Sequence, residues 1–138
     1  MILDASVVLA WLLKESDGVV ADRLLSRADL SAPTLIAAEV GHALTKYARR
    51  GAITREAAQS AWRAFDLLPL RLLPLEAVAQ RAFELSQAVH GVFYDCLYLA
   101  LAERDRDLLV TLDERFLRAV QAGGQGLATH ISSLADAP

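Results

Sequence analysis

Two short apolar runs constrain this chain more than any other feature. Residues 1–3 and 108–112 are too brief for helices, are uninterrupted by polar residues apart from Thr111, and each stops at an aspartate, Asp4 and Asp113. A continuous apolar run of that length is what a parallel strand covered on both faces requires. Between and beyond them the apolar residues recur at helical spacing, so strands alternate with helices and the sheet is expected to be parallel.

The remaining elements follow from their punctuation. Ser6 reads as the N-cap of a helix carrying Val7, Val8, Trp11 and Leu12, and Asp17 as the cap of a second helix through Val20, Leu24 and Leu25. Leu30-Ser31-Ala32 reads as a strand, with Pro33 starting a helix that runs to Arg50 and stops at Gly51. Thr54, with Glu56 in the first turn, opens a helix through Ala58, Trp62 and Phe65. Residues 70–73, bracketed by Pro69 and Pro74, form a short strand, residues 75–90 a helix closed by Gly91, and residues 94–103 another. Phe116, Leu117 and Val120 mark a further helix broken at Gly123-Gly124, ahead of a last strand at 127–130. No repeat or linker divides the 138 residues, and 54% hydrophobic composition suffices for one core, so residues 1–138 are read as a single α/β domain.

Charge and cysteine content narrow the function classes. A net charge of −3 excludes nucleic-acid binding through a broad basic surface, so any RNA contact must be local. Cys96 is the only cysteine, which rules out an intrachain disulfide or a cysteine zinc site and suits a reducing cytoplasm. The opening residues lack a basic stretch before a short apolar run, so neither a leader nor a membrane anchor is expected. A mean hydropathy of +0.31 is high for a small soluble chain and points to apolar surface covered by a second subunit or partner.

Ligands of open parallel sheets gather outside the carboxyl ends of the strands, which is where Asp4 and Asp113 fall. Either aspartate alone is equally explained as a cap for the helix that follows. Glu39 lies in a helix beside Ile36, Val40, Ala43 and Leu44, with no basic residue at its i−3 or i+4 position to pair with it. Asp95 stands at the start of a helix whose later turns are nearly all apolar, where compensating the helix dipole is an alternative role.

These residues together resemble the PIN-domain nucleases of the VapC toxin type over nearly the whole chain. The resemblance is carried by Asp4-Ala5-Ser6 after an apolar strand, by Pro33-Thr34-Leu35 ahead of Glu39, by Tyr94-Asp95 with Tyr98-Leu99-Ala100-Leu101-Ala102, and by Leu109-Val110-Thr111-Leu112-Asp113. It implies a PIN-like α/β/α sandwich, a short and mostly parallel central sheet flanked by helices. It implies further that Asp4, Glu39, Asp95 and Asp113 are catalytic metal-binding acids supported by the hydroxyls of Ser6 and Thr111. The chemistry agrees: converging carboxylates raise one another's pKa, a divalent cation lets them stay ionised together, and oxygen-only ligation favours Mg2+ or Mn2+ over zinc. A metal-activated water would then cleave RNA, with Arg115 as a phosphate contact. A cognate VapB-like antitoxin and a homodimer are the implied partners. His42, where many relatives have asparagine, and Glu114 depart from the pattern.

Two rival readings remain. A non-catalytic PIN-like binding module would be signalled by loss of one or more acids, and all four are present. A haloacid-dehalogenase-type phosphatase wants a second aspartate two residues after the first, and that residue is Ser6.

Overall fold

In the computed structural model, strands and helices alternate as the patterning requires. It describes the chain apart from residues 15–17, 26, 28, 124 and 125, and describes residues 18–20 and 25 by backbone alone. Five strands, β1 (Ile2–Leu3), β2 (Ser31–Pro33), β3 (Arg71–Leu73), β4 (Leu109–Thr111) and β5 (Ile131–Ser133), form one sheet in the order β3-β2-β1-β4-β5. Every pairing among the described residues is parallel, as expected. Helices α1 (Ala5–Leu12), α2 (Gly18–Leu25), α3 (Leu35–Arg49) and α4 (Arg55–Asp66) pack on one another, as do α5 (Ala79–Ala88) and α6 (Phe93–Asp105), while α7 (Glu114–Ala122) lies against β5. Right-handed crossovers place α1 to α4 on one face of the sheet and α5 to α7 on the other, giving an α/β/α sandwich.

The chain leaves β1 in one direction through β2 to β3, then crosses back to add β4 on the opposite side of β1. The seam between β1 and β4 is therefore the topological switch point, the place where open α/β sheets bind ligands. Both strands of the seam are fully buried, with Ile2 beside Leu109 and Leu3 beside Val110. Helix α6 packs behind β1, β2 and β4, and its residues from Cys96 to Ala102 are all buried, as expected for a helix apolar all round. The edge strand β3 exposes Arg71 and Leu72, and its bracketing prolines discourage further pairing.

Several expected boundaries move for identifiable reasons. Asp4, not Ser6, occupies the N-cap of α1, and Ser6 lies inside the first turn. Pro33 completes β2 in register with Leu73, and the helix starts only at Leu35. Residues 127–130 form a 3-10 turn, Leu127–His130, and the strand follows it, because pairing of Ile131 with Leu109 sets the register. The expected cap at Asp17 and the break at Gly124 lie outside the described residues.

Candidate active site

Asp4 emerges from β1 at the seam, and two hydroxyls hold its carboxylate. Ser6 Oγ and Thr111 Oγ1 both donate to Asp4 Oδ2, at 2.6 and 2.7 Å. Each hydroxyl also accepts a backbone N–H from the chain leaving β4: Leu112 donates to Ser6 Oγ at 3.1 Å, and Asp113 to Thr111 Oγ1 at 2.9 Å. The ends of β1 and β4 are thus tied through one carboxylate oxygen. Burial pushes the Asp4 carboxyl above its ordinary range and the negative charge of Asp113 pushes the same way, while the hydrogen bonds from Ser6, Thr111 and the Ala5 backbone oppose the shift.

Asp95 reaches the same place from the first turn of α6, and Asp113 from the N-cap of α7. Asp4, Asp95, Asp113, Tyr98 and Thr111 line a small void of about 10 Å³, the size of about one water molecule. A wider recess of about 150 Å³ opens outward from it between Asp95, Asp113, Arg115, His90 and Val92. Asp113 Oδ1 also accepts the Phe116 N–H at 2.9 Å, so it caps its helix while facing the void. The Asp95 carboxyl is pushed up to about 7, chiefly by burial and then by the charges of Asp4, Asp113 and Glu39. The smaller, coulombic part of that shift comes from the other three acids.

Glu39, from the first half of α3, joins the group through Tyr98, whose hydroxyl donates to Glu39 Oε2. Burial raises the Glu39 carboxyl, this hydrogen bond opposes the rise, and Asp4 adds to it. Tyr98 is itself buried, and burial beside Glu39 holds its phenol far above the ordinary range. Sequence reasoning did not single out Tyr98 as a site residue. Its signal was its position three residues after Asp95, on the same face of the helix.

Asp4, Asp95, Asp113, Ser6 and Thr111 come together directly, Glu39 comes in through Tyr98, and Arg115 stands exposed on the rim. Glu114 instead pairs with Arg118 at 2.9 Å on the surface of α7. His42 is exposed in a separate recess with Thr45, Lys46, Arg49 and Arg50. His130 Nδ1 lies 3.1 Å from the Asp107 carbonyl, far in sequence from the acids. The Cys96 thiol is buried and pushed up to about 12, which keeps it un-ionised and unreactive.

The donor set is oxygen-only, and the charges of Asp4, Asp113 and Glu39 add to the upward push on Asp95, which suits a hard divalent cation. As the side chains stand, no three acids, histidines or cysteines among the described residues enclose an ion position. The fit therefore rests on the chemistry of the donors and on their like charge.

The sequence model of the PIN domain family matches residues 1–121 of the chain. Ribonuclease VapC3 of Pyrobaculum aerophilum is 35% identical over 121 residues, covering 83% of this chain and 90% of that protein. Ribonuclease VapC1 of Mycobacterium tuberculosis is 37% identical over 117 residues, covering 83% and 86%. Among solved structures, a protein from Pyrobaculum aerophilum superposes with a TM-score of 0.68 at 23% identity, covering 97% of this chain and 83% of that one. VapBC2 from Rickettsia felis, bound to a DNA fragment from its promoter, gives 0.65 at 18% identity, covering 96% of each chain.

Proposed function

This chain belongs to the PIN domain family, and from that premise we propose that it is a metal-dependent endoribonuclease, the toxin of a type II VapBC-type toxin–antitoxin pair. The carrying observation is the convergence of Asp4, Asp95 and Asp113, from three separate elements, on one void at the β1–β4 switch point. A structural acid needs no such company, since unpaired carboxylates brought together cost stability.

Asp4, Glu39, Asp95 and Asp113 would hold Mg2+ or Mn2+, which supplies an acidified water and offsets charge on the phosphodiester. The chain's own residues do the rest. Ser6 and Thr111 fix the orientation of Asp4, and Tyr98 fixes that of Glu39. Arg115 lines the recess that Asp95 and Asp113 also line, which supports the reading that it would hold a phosphate of the strand. Ser6, bonded to Asp4, leaves no second aspartate for the phosphatase reading. The four acids, all retained, leave the binding-module reading without support.

The likeness to VapBC2 of Rickettsia felis supports a VapB-like antitoxin as partner. Its binding segment would cross the apolar helices around Trp11 and Leu12 and send a cationic group to the acids. Exposed large apolar side chains, Leu67 at 85% and Val92 at 58% among them, support a homodimer. Among the described residues no helix is long and apolar enough to cross a membrane, and a cytoplasmic site of action for one domain spanning residues 1–138 completes the reading.

The test is RNA cleavage by the purified protein with Mg2+ or Mn2+, its loss in EDTA, and its return on adding metal. Absence of cleavage with either metal, on single-stranded and structured RNA alike, overturns the nuclease reading. Failure of a co-expressed neighbouring antitoxin to bind the chain or relieve growth arrest overturns the toxin reading alone.

A further inference from the structure

Arg27, Arg81, Arg104 and Arg118 each pair with an acid. Lys46, Arg49 and Arg50 make no ion pair among the described residues, and they line one recess of about 270 Å³ with His42 and Thr45 and no acidic residue. All three cations and His42 are exposed.

Their position on α3 links them to the acids. At 3.6 residues per turn, Lys46 and Arg50 project within about 20° of the direction of Glu39, and His42 and Arg49 flank that line on one side. The stripe starts at the residue that Tyr98 holds in the acid group and runs about 16 Å along the helix axis to Arg50. Three cations without ion pairs among the described residues, gathered in line with an acid site on a chain of net charge −3, have the form of an electrostatic funnel for a polyanion.

We propose that His42, Lys46, Arg49 and Arg50 form a track along α3 that binds the phosphates of single-stranded RNA next to the scissile one. The proposal rests on the ribonuclease reading and adds the direction in which the strand runs, away from Glu39 towards the C-terminal end of α3. Cations that neutralise phosphates release counterions, so each lost contact makes the salt dependence of binding shallower by about 0.7 for a single strand.

The experiment measures fluorescence anisotropy of a labelled single-stranded oligoribonucleotide in EDTA, which prevents metal-dependent hydrolysis, over a series of salt concentrations. Wild type is compared with Lys46→Ala/Arg50→Ala and with Arg27→Ala as a control for loss of a remote surface charge. Both altered residues of the double variant are exposed, and circular dichroism checks that it folds. The track predicts a slope shallower by about 1.4 and binding weaker on the order of tenfold at about 0.1 M salt for the double variant, with the control unchanged. An unchanged slope, wild type that binds no RNA, or a double variant that loses only an acidic protein partner each overturns the track. Cleavage is assayed separately with Mg2+: intact cleavage with an unchanged slope removes the track and leaves the nuclease, whereas track-dependent binding without cleavage supports the track and removes the nuclease.

Discussion

Replacing Asp95 by asparagine should make the metal-free protein more stable at alkaline pH while removing its activity. The carboxyl is held at about 7 against an ordinary 3.8. The folded chain therefore keeps a proton that the unfolded chain releases, and stability falls as pH rises between those two values. At 1.36 kcal/mol per tenfold the full penalty above pH 7 is about 4 kcal/mol. Asp95 borders an open recess, and solvent screening reduces this to about 2 kcal/mol. Asparagine keeps the shape and drops the charge, and no side-chain hydrogen bond of Asp95 is lost among the described residues. With an unfolding entropy of about 2.1 cal/mol/K per residue, 2 kcal/mol in a chain of this size raises the thermal midpoint by about 7 °C. Thermal unfolding followed by circular dichroism in EDTA should show that gain near pH 8.5 and about 40% of it near pH 5. An equal or lower midpoint for Asp95→Asn at pH 8.5 would refute the claim that burial and the neighbouring acids together penalise the ionised Asp95 in the absence of metal.

Other outcomes follow from the same geometry. Tyr98→Phe removes the donor to Glu39 and should cost about 1.5–3 kcal/mol in denaturant unfolding, with a fall in kcat larger than any change in KM. Ser6→Ala leaves the Leu112 N–H without its acceptor and takes a stabilising hydrogen bond from ionised Asp4. It should cost about 1–3 kcal/mol by denaturant midpoint, and the acidic limb of the activity profile should move to higher pH as the Asp4 pKa rises. Light scattering across the micromolar range should give a dimer mass, and a concentration-independent monomer would contradict the homodimer.

What could be read from the residues differs from element to element for physical reasons. Asp4 and Asp113 were legible because a buried parallel strand is an uninterrupted apolar run, and its carboxyl end is marked by the first acid. A cap position did not keep either acid from the shared void: Asp113 caps α7 and lines the void, and Asp4 sits at a cap position while its carboxylate turns to the hydroxyls. Glu39 looked unpartnered because its partner is 59 residues away in sequence, and no local pattern reports a contact of that separation. Tyr98 was hidden inside a helix whose buried residues are otherwise all apolar, where an aromatic ring reads as core. The last strand was placed too early because Leu127 and Ile131 are both buried, and only pairing with β4 decides which of them lies in the sheet.

The most direct test of the central claim compares wild type with Asp4→Asn for two quantities in one preparation: the rate of RNA cleavage with Mn2+, and Mn2+ binding followed by electron paramagnetic resonance. If Asp4 is a metal-holding acid, the variant folds, binds Mn2+ more weakly by tenfold or more, and cleaves at a correspondingly lower rate. A folded Asp4→Asn protein that binds Mn2+ and cleaves RNA as wild type does would contradict the assignment of the β1–β4 seam as the active site.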